Sequence, residues 1–232
     1  MIDGQGTLLI VDDERSIRHS LRTILSTLGF GIIEAARGEE AIVLVRTAQI
    51  DAVVLDIDMP GIGGVATCRG IRRAVPTMPI VMLSVHNTEN QIADAFNAGA
   101  DDYVTKPFQL REFTARIHAS MRWNKLRDKA SSEIVIGDVS LDPSRHEVKK
   151  RGSRVHLTPR QFEILQCLME QGGGAVPHRR LLRKIRGPEY GNELEYLRTY
   201  IRQLRVKIED DPANPRYLLT DSHYGYRFAE PE

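Results

Sequence analysis

The feature that most constrains the fold is a series of short apolar runs that each lead into a polar residue. The first run, Thr7 to Val11, stands directly before Asp12. Uninterrupted apolar runs of this length are typical of strands buried on both faces of a parallel sheet. The pattern predicts four further strands in the first half of the chain, at residues 31–34, 52–55, 79–83 and 103–105.

Helical patterns separate these predicted strands. After the first strand, apolar residues from Ile17 to Leu28 recur on one helix face, and Gly29 follows as a stop signal. Further helices are predicted over 39–47, 91–98 and 110–121, with another helical region ending at Ile71. Five strand–helix units predict an α/β domain, a doubly wound, flavodoxin-like parallel sheet of five strands.

The second half has a different pattern. Short alternating runs broken by turn residues over 134–157 predict an antiparallel meander. Thr158 and Pro159 then open a helix with a capping residue and a proline at the first helical position. Two more helices, over 178–185 and 194–209, and a terminal β-hairpin complete the layout of an α+β winged helix-turn-helix domain. The predicted division is a first domain at 1–123, a polar linker at 124–133 and a second domain at 134–232.

The charge distribution supports two domains with different partners. Residues 1–123 carry 12 Lys and Arg against 15 Asp and Glu, whereas residues 145–207 carry 15 against 6. A basic second domain after an acidic first one favours a nucleic-acid partner for the second domain alone.

Composition excludes several classes of protein. A chain that is 41% hydrophobic and 27% charged is neither disordered nor collagen-like. Its two cysteines, Cys68 and Cys167, are too few for a disulfide framework or a thiolate zinc site. No apolar run approaches the roughly 20 residues of a membrane helix, and no signal peptide is recognisable. We therefore expect a soluble cytoplasmic protein without a membrane partner.

Polar side chains at the ends of the predicted strands indicate a reaction site. Asp12 and Asp13 follow the first strand, Asp56 the third, Ser84 the fourth and Lys106 the fifth. Sites in open parallel sheets lie beyond the carboxyl ends of the strands. Converging carboxylates are costly without a cation, and hard oxygen ligands suit Mg²⁺. The alternative interpretation is that Asp12 and Asp13 merely cap the next helix.

Such a pocket is suited to phosphoryl chemistry. Beside a bound cation, the Asp56 carboxylate can attack phosphorus as a covalent nucleophile. Lys106 would pair with one phosphoryl oxygen, and the Ser84 hydroxyl would hydrogen-bond another.

The first domain resembles the CheY-like receiver domain of two-component response regulators. The resemblance rests on residues 11–14 (VDDE), 55–60 (LDIDMP), Ser84 and 99–108 (GADDYVTKPF). It implies that Asp56 is the phosphoacceptor for a sensor histidine kinase, with catalytic support from Ser84 and Lys106. It also implies a Mg²⁺ site formed by Asp12, Asp13, Asp56 and the backbone carbonyl of Asp58, a switch made of Ser84 and Tyr103, and a cis Lys106–Pro107 bond.

The resemblance also implies a homodimer that forms on activation through the fourth helix, fifth strand and fifth helix. Two positions depart from the family pattern, because Ile92 replaces a basic residue and Asn97 an acidic one. A third departure is Val85, in place of alanine, which we expect to shield an acyl phosphate from water. The predicted interface comprises Ile92, Phe96, Asp102, Glu112 and Arg116.

The long basic helix of the second domain is the candidate DNA reader. Leu194, Leu197, Ile201, Leu204 and Ile208 form its predicted buried stripe. The opposite face is polar and basic, which suits the major groove, although an ordinary solvated face has the same composition. The predicted DNA contacts are Arg198, Thr199, Arg202, Gln203, Arg205 and Lys207 on the helix, and Arg216 and Arg227 near the hairpin.

Residues 134–229 resemble the winged-helix effector domain of OmpR/PhoB regulators. The motifs are 157–159 (LTP), 201–205 (IRQLR) and 225–228 (GYRF). Within that subfamily, 186–188 (RGP), 196–201 (YLRTYI) and 210–216 (DDPANPR) are similar to regulators of a high-affinity potassium-transport operon. This similarity implies promoter DNA as a partner, with RNA polymerase as a further one.

Three functions follow from these features. The first is a phosphorylation-activated transcriptional regulator that is not an enzyme beyond slow loss of its own phosphate. The second is a Mg²⁺-dependent phosphohydrolase with an aspartyl nucleophile, which leaves the second domain unused. The third is a phosphorylation-independent DNA-binding protein whose first domain only dimerises.

Overall fold

The chain forms two compact units, divided after Met121. The computed structural model describes residues 5–86, 88–125, 133–186 and 194–231. Most of the predicted linker, together with residues 187 and 188 of the RGP motif, lies outside the described residues.

The first unit contains the predicted five-stranded parallel sheet, in the order β2-β1-β3-β4-β5. Every residue of β3 and β4 is buried, because helices cover both faces of the sheet; this burial explains their uninterrupted apolar sequences. The strands are β1 (Thr7–Val11), β2 (Gly31–Ala35), β3 (Ala52–Asp56), β4 (Ile80–Ser84) and β5 (Asp102–Thr105).

Five helices connect and follow these strands. They are α1 (Arg15–Thr27), α2 (Gly38–Thr47), α3 (Gly63–Ala74), α4 (Glu89–Ala98) and α5 (Leu110–Lys125). The last helix continues past the predicted end at Met121 and enters the segment predicted as linker. One core cluster joins Leu8 and Ile10 of β1 to Leu25 of α1 and to Phe113 and Ile117 of α5. Helices α1 and α5 therefore pack side by side against this face of the sheet.

Strand order and register bring the polar residues to one edge of the sheet. β1 lies between β2 and β3, so the order of strands reverses at the β1–β3 boundary. The final pairs put Val11 opposite Leu55, Asp56 opposite Leu83, and Ser84 opposite Thr105. Residues that follow these strands therefore converge where open α/β sheets bind ligands.

The second unit confirms the predicted winged-helix architecture. A four-stranded antiparallel sheet contains β6 (Ile134–Ile136), β7 (Val139–Asp142), β8 (Glu147–Lys150) and β9 (Ser153–Val155). The helices are α6 (Pro159–Met169), α7 (His178–Arg186) and α8 (Leu194–Ile208). A second sheet contains β10 (Val176–Pro177), β11 (Leu218–Asp221) and β12 (Gly225–Phe228).

Sequence analysis missed β10, because two residues are too few to show periodicity. Its pairing with β12 depends on Gly225, which lies opposite Pro177. A Cβ atom at Gly225 would lie 1.8 Å from the carbonyl oxygen of Val176. Only glycine permits this approach of the two backbones.

A buried carboxylate fixes the start of the wing. Glu209 follows α8 and is 8% exposed. Its two oxygens accept hydrogen bonds from the backbone N–H groups of Arg216, Tyr217 and Leu218 at 2.7 to 3.3 Å. One side chain thereby satisfies three donors at the entrance to β11.

We predict that Glu209→Ala lowers the free energy of unfolding of the second unit by about 2–4 kcal/mol, since buried donors lose their acceptor. Denaturation of the full-length chain, with hydrogen exchange to locate the loss around residues 216–218, measures this. The control is the exposed Glu230→Ala. Equal stability of the two variants would contradict the assigned role of Glu209.

Candidate functional site

Three carboxylates meet at the carboxyl edge of the parallel sheet. Asp12, Asp13 and Asp56 each offer an oxygen, and these atoms all lie within 4.8 Å of one another. Asp12 and Asp56 are buried, whereas Asp13 is exposed. Like charges this close destabilise the pocket unless a cation joins them. The donor set, all oxygen and open to solvent at Asp13, fits a hard cation that retains water ligands, such as Mg²⁺.

Lys106 supplies a positive charge to the same pocket. Its Nζ atom donates to Asp56 Oδ1 at 2.6 Å and to Asp12 Oδ2 at 3.2 Å. The Lys106–Pro107 bond is cis, as the resemblance implies. In this structure Lys106 thus pairs with the carboxylates of the pocket, where a phosphoryl oxygen was its predicted partner.

Burial and neighbouring charges shift both groups of this pair. Burial raises the pKa of Asp56; Lys106 opposes the shift, while the charges of Asp12 and Asp58 add to it. Burial alone would lower the pKa of Lys106, but its hydrogen bonds and ion pairs with Asp56 and Asp12 outweigh burial and raise it. Lys106 therefore stays charged beside a carboxylate that is costly to ionise.

A second set of hydrogen bonds adjoins the pocket. The Ser84 hydroxyl donates to Asp58 Oδ2 at 3.1 Å and accepts from the His86 N–H at 3.0 Å. The hydroxyl of Tyr103 donates to the His86 carbonyl at 2.6 Å, and burial raises the pKa of this tyrosine. Sequence analysis included Asp58 only for its backbone carbonyl and missed its side chain. The signal was present, since this carboxylate stands two residues after Asp56.

The helix-cap interpretation of the acidic pair is wrong. The residue at the N-cap of α1 is Glu14, and no side chain caps the helix there. Asp12 instead accepts a hydrogen bond from the Glu14 N–H, at 2.9 Å. Arg18 donates to the backbone carbonyls of Asp12 and Asp13, at 2.7 and 3.0 Å. The Asp12 side chain and the backbone carbonyls of both aspartates therefore hold the acidic loop, while an oxygen of each side chain remains in the carboxylate cluster.

Three of the five residues predicted for the dimer interface contact one another within the chain. Arg116 pairs with Asp102 and with Glu112, each at 2.9 Å. Phe96, Asp102 and Arg116 require a correction, because they are 1%, 1% and 6% exposed and offer little surface to a partner. Ile92 is half-buried on α4.

On the basic helix α8, the buried stripe differs from the predicted one and fewer of the predicted DNA contacts are exposed. Its buried residues are Leu197, Tyr200, Ile201, Leu204 and Ile208, so Tyr200 replaces the predicted Leu194, which is only half-buried. Arg198 and Arg202, one turn apart, are exposed, and Thr199 is half-buried beside them.

The flanks of α8 are tied to the rest of the second unit. Arg205 donates to the Leu218 carbonyl at 2.9 and 3.0 Å and to Thr220 Oγ1 at 2.8 Å, which joins the helix to β11. On the other flank, Gln203 and Lys207 both contact Gln161 of α6. These three predicted DNA contacts thus also hold the helix in place, which the helical pattern alone does not reveal.

Of the two predicted arginines near the hairpin, only Arg227 lies in a strand. It is exposed on β12 and pairs in register with Leu219. Arg216 is exposed too, but precedes β11.

Comparison with known proteins decides the family. Residues 8–118 match the response regulator receiver domain, and residues 152–228 match the C-terminal domain of transcriptional regulatory proteins. The transcriptional regulatory protein KdpE of Mycobacterium tuberculosis is 38% identical over 95% of this chain and 98% of its own. The chain belongs to the OmpR/PhoB family of two-component response regulators.

A second curated relative agrees with this assignment, and a solved structure shares the fold. The KDP operon transcriptional regulatory protein KdpE of Escherichia coli is 34% identical over 95% of this chain and 98% of its own. The solved structure of a RitR mutant, 22% identical, shares the fold with a TM-score of 0.80 over 97% of this chain and 99% of its own.

The predicted fold class is confirmed in both domains of this response regulator, as is its combination of a receiver with a DNA-binding domain. Among the residues that the structure describes, no helix is long and apolar enough to cross a membrane.

We predict that Lys106→Met raises the affinity of the receiver for Mg²⁺ on the order of tenfold, because the three carboxylates lose a competing cation. The same change lowers the thermal stability of the metal-free protein, since buried charges lose their partner. Calorimetric titration and melting of the full-length chain measure both effects. Lys149→Met in the second domain is the control. If Lys106→Met binds Mg²⁺ with unchanged affinity, Lys106 does not compete with the cation for the three carboxylates.

Proposed function

We propose that this response regulator is activated by phosphorylation of Asp56 and then binds promoter DNA as a homodimer. The observation that carries the proposal is the pocket itself, in which Asp56 lies 2.6 Å from Lys106 and within 4.8 Å of two further carboxylates. A buried carboxylate beside a fixed cation and open to solvent through Asp13 suits attack on a phosphoryl group better than a purely structural role.

The proposed reaction transfers a phosphoryl group from a phosphohistidine of a sensor kinase. An Asp56 carboxylate oxygen forms the new P–O bond as the P–N bond breaks, and the electron pair of that bond returns to the imidazole. Lys106 shifts from Asp56 to a phosphoryl oxygen, a move its flexible side chain permits. Asp12, Asp13, Asp56 and the Asp58 carbonyl would hold Mg²⁺, which supplies positive charge to the phosphoryl oxygens when bound.

The switch that we propose uses the hydrogen bonds around Ser84. Before phosphorylation its hydroxyl bonds Asp58, and Tyr103 bonds the His86 carbonyl. A phosphoryl group on Asp56 offers Ser84 a stronger, charged acceptor, so the hydroxyl turns toward it. Tyr103, which is already buried and bonded to the His86 carbonyl, then moves with the loop after β4, and this biases the α4–β5–α5 surface toward the dimeric state.

The proposed output is operator binding through α8 and the wing. Arg198 and Arg202 are exposed and suited to base edges or phosphates, with Thr199 beside them and Arg227 on the wing. The similarity to KdpE regulators supports control of a potassium-transport operon, with a KdpD-like sensor kinase as donor and RNA polymerase as a further partner.

We place this function in the cytoplasm. We propose no catalytic activity beyond slow loss of the aspartyl phosphate. The exposed Val85 is expected to shield that phosphate from water.

The phosphorylation step predicts a single modified residue. Incubation with acetyl phosphate and Mg²⁺ is expected to add one phosphoryl group to the wild-type chain and none to Asp56→Asn, as read by intact mass. The matched control is Asp94→Asn, at an exposed position on α4. Labelling of Asp56→Asn at the wild-type rate would exclude Asp56 as the acceptor, whereas many rapid turnovers of phosphate release would favour the phosphohydrolase.

The DNA-binding step predicts capture that depends on the phosphoryl state. Full-length protein with beryllofluoride and Mg²⁺ is expected to enrich direct repeats upstream of potassium-transport genes from fragmented genomic DNA, several-fold over protein without the mimic. Arg198→Ala with Arg202→Ala is expected to lose capture, and the exposed Arg145→Ala is the control. Equal capture with and without the mimic would support the phosphorylation-independent regulator instead.

A further inference from the structure

The exposed residues of α8 form one row along the helix. They are Glu195, Arg198, Arg202 and Val206, each three or four residues after the last, so they lie on one side of the helix. Arg198 pairs with Glu195 at one end of this exposed row. Val206 stands at the other end, one turn after Arg202, and is 65% exposed. An apolar side chain therefore continues a row that is otherwise charged.

The two neighbours of Val206 in the chain hold it in place. Arg205 donates to the Leu218 carbonyl, at 2.9 and 3.0 Å, and thereby joins α8 to β11. Lys207 donates to the His156 carbonyl at 2.8 Å. Since residues two apart on a helix point about 200° apart, these two anchors lie on opposite sides of α8. Val206 is thus presented between them on a backbone that is fixed from both sides.

Exposure alone does not set Val206 apart, because single apolar residues are common on protein surfaces. Its position does. The exposed row is the side of α8 that is proposed to meet DNA, and Val206 brings to it neither a charge for phosphates nor a hydrogen bond for base edges. Valine is also a poorer helix former than lysine, arginine or glutamine. What its side chain can contribute at this interface is an apolar contact.

The major groove offers one methyl group to such a contact. The base edges there carry hydrogen-bond donors and acceptors, and thymine adds its 5-methyl group. We propose that Val206 is a specificity-determining residue that packs against the 5-methyl group of thymine. The inference rests on the proposed function, because it needs α8 to enter the major groove. It adds an apolar reader to the predicted DNA contacts, which are all polar or charged.

The spacing within the exposed row places this thymine near a second base. Val206 follows Arg202 by four residues, which corresponds to about 6 Å along the helix axis. Base pairs are stacked about 3.4 Å apart, so this distance covers about two of them. Arginine most often reads guanine. We therefore expect the thymine within about two base pairs of the position at which Arg202→Ala relaxes selection, and guanine is the expected base there.

The test compares thymine with deoxyuridine in the selected site. Selection from a randomised duplex library, with the full-length protein, beryllofluoride and Mg²⁺, first supplies the preferred sequence. Each thymine of that sequence is then replaced in turn by deoxyuridine, which removes the methyl group and leaves base pairing unchanged. At one thymine of each repeat, wild type is expected to lose about fourfold in affinity, the value of one buried methyl group.

Variants of Val206 assign this loss to one side chain. Val206→Ala is expected to bind the thymine and deoxyuridine duplexes equally, whereas Val206→Ile is expected to keep the preference. Alanine favours a helix more than valine does, and thermal melting checks that the variants fold. Because no charge is removed, the salt dependence of binding is expected to stay as in wild type. The matched control is Val135→Ala, on β6, where the valine is 62% exposed.

The outcomes separate this inference from the proposed function. If wild type enriches no sequence, DNA binding itself fails and the inference fails with it. If wild type enriches a site but tolerates deoxyuridine at every thymine, only the inference is overturned. It is also overturned if Val206→Ala loses as much affinity on deoxyuridine as wild type does, since another side chain then reads the methyl group. If Val206→Ala binds every duplex like wild type but no longer supports transcription by RNA polymerase, the inference is overturned and Val206 is assigned to a protein contact.

Discussion

Electrostatic repulsion among carboxylates at one edge of the parallel sheet is the constraint on which the receiver depends. Asp12, Asp13 and Asp56 are brought within 4.8 Å of one another because β1 and β3 are neighbours and run in the same direction. Lys106 offsets this repulsion from the end of β5, two strands away from β3. A cation or a phosphoryl group that enters the pocket must therefore redistribute contacts that already exist, and this is the physical basis of the proposed switch.

Hydrogen bonds extend from this pocket toward the surface proposed for dimerisation. Ser84 joins Asp58 to the loop after β4, and Tyr103 of β5 holds that loop through the His86 carbonyl. At the start of β5, Asp102 pairs with Arg116 of α5. The same short strand thus carries the aromatic residue near the pocket and one partner of a buried ion pair with α5.

Several basic residues of the second domain hold its elements together. Lys207 bonds the His156 carbonyl and Gln161, and Arg205 bonds the Leu218 carbonyl. A cation satisfied by backbone or amide oxygens inside the domain has less of its charge available to phosphates. The overall positive charge of residues 145–207 therefore overstates the charge available on the proposed DNA-binding face, where Arg202 is exposed and Arg198 is exposed but paired with Glu195.

Apart from β10, the sequence by itself determined the order of elements, and it also determined the parallel sheet and the residues of the acidic pocket. These features are local, since apolar runs, capping residues and strand-end carboxylates are visible in short windows of sequence. Only the tertiary structure decided what these side chains contact. Phe96 is buried, Tyr200 replaces Leu194 in the stripe, β10 exists only through its pairing with β12, and Gln203 is turned toward α6. Each of these depends on a partner distant in the chain, and helical or strand periodicity carries no information about which partner that is.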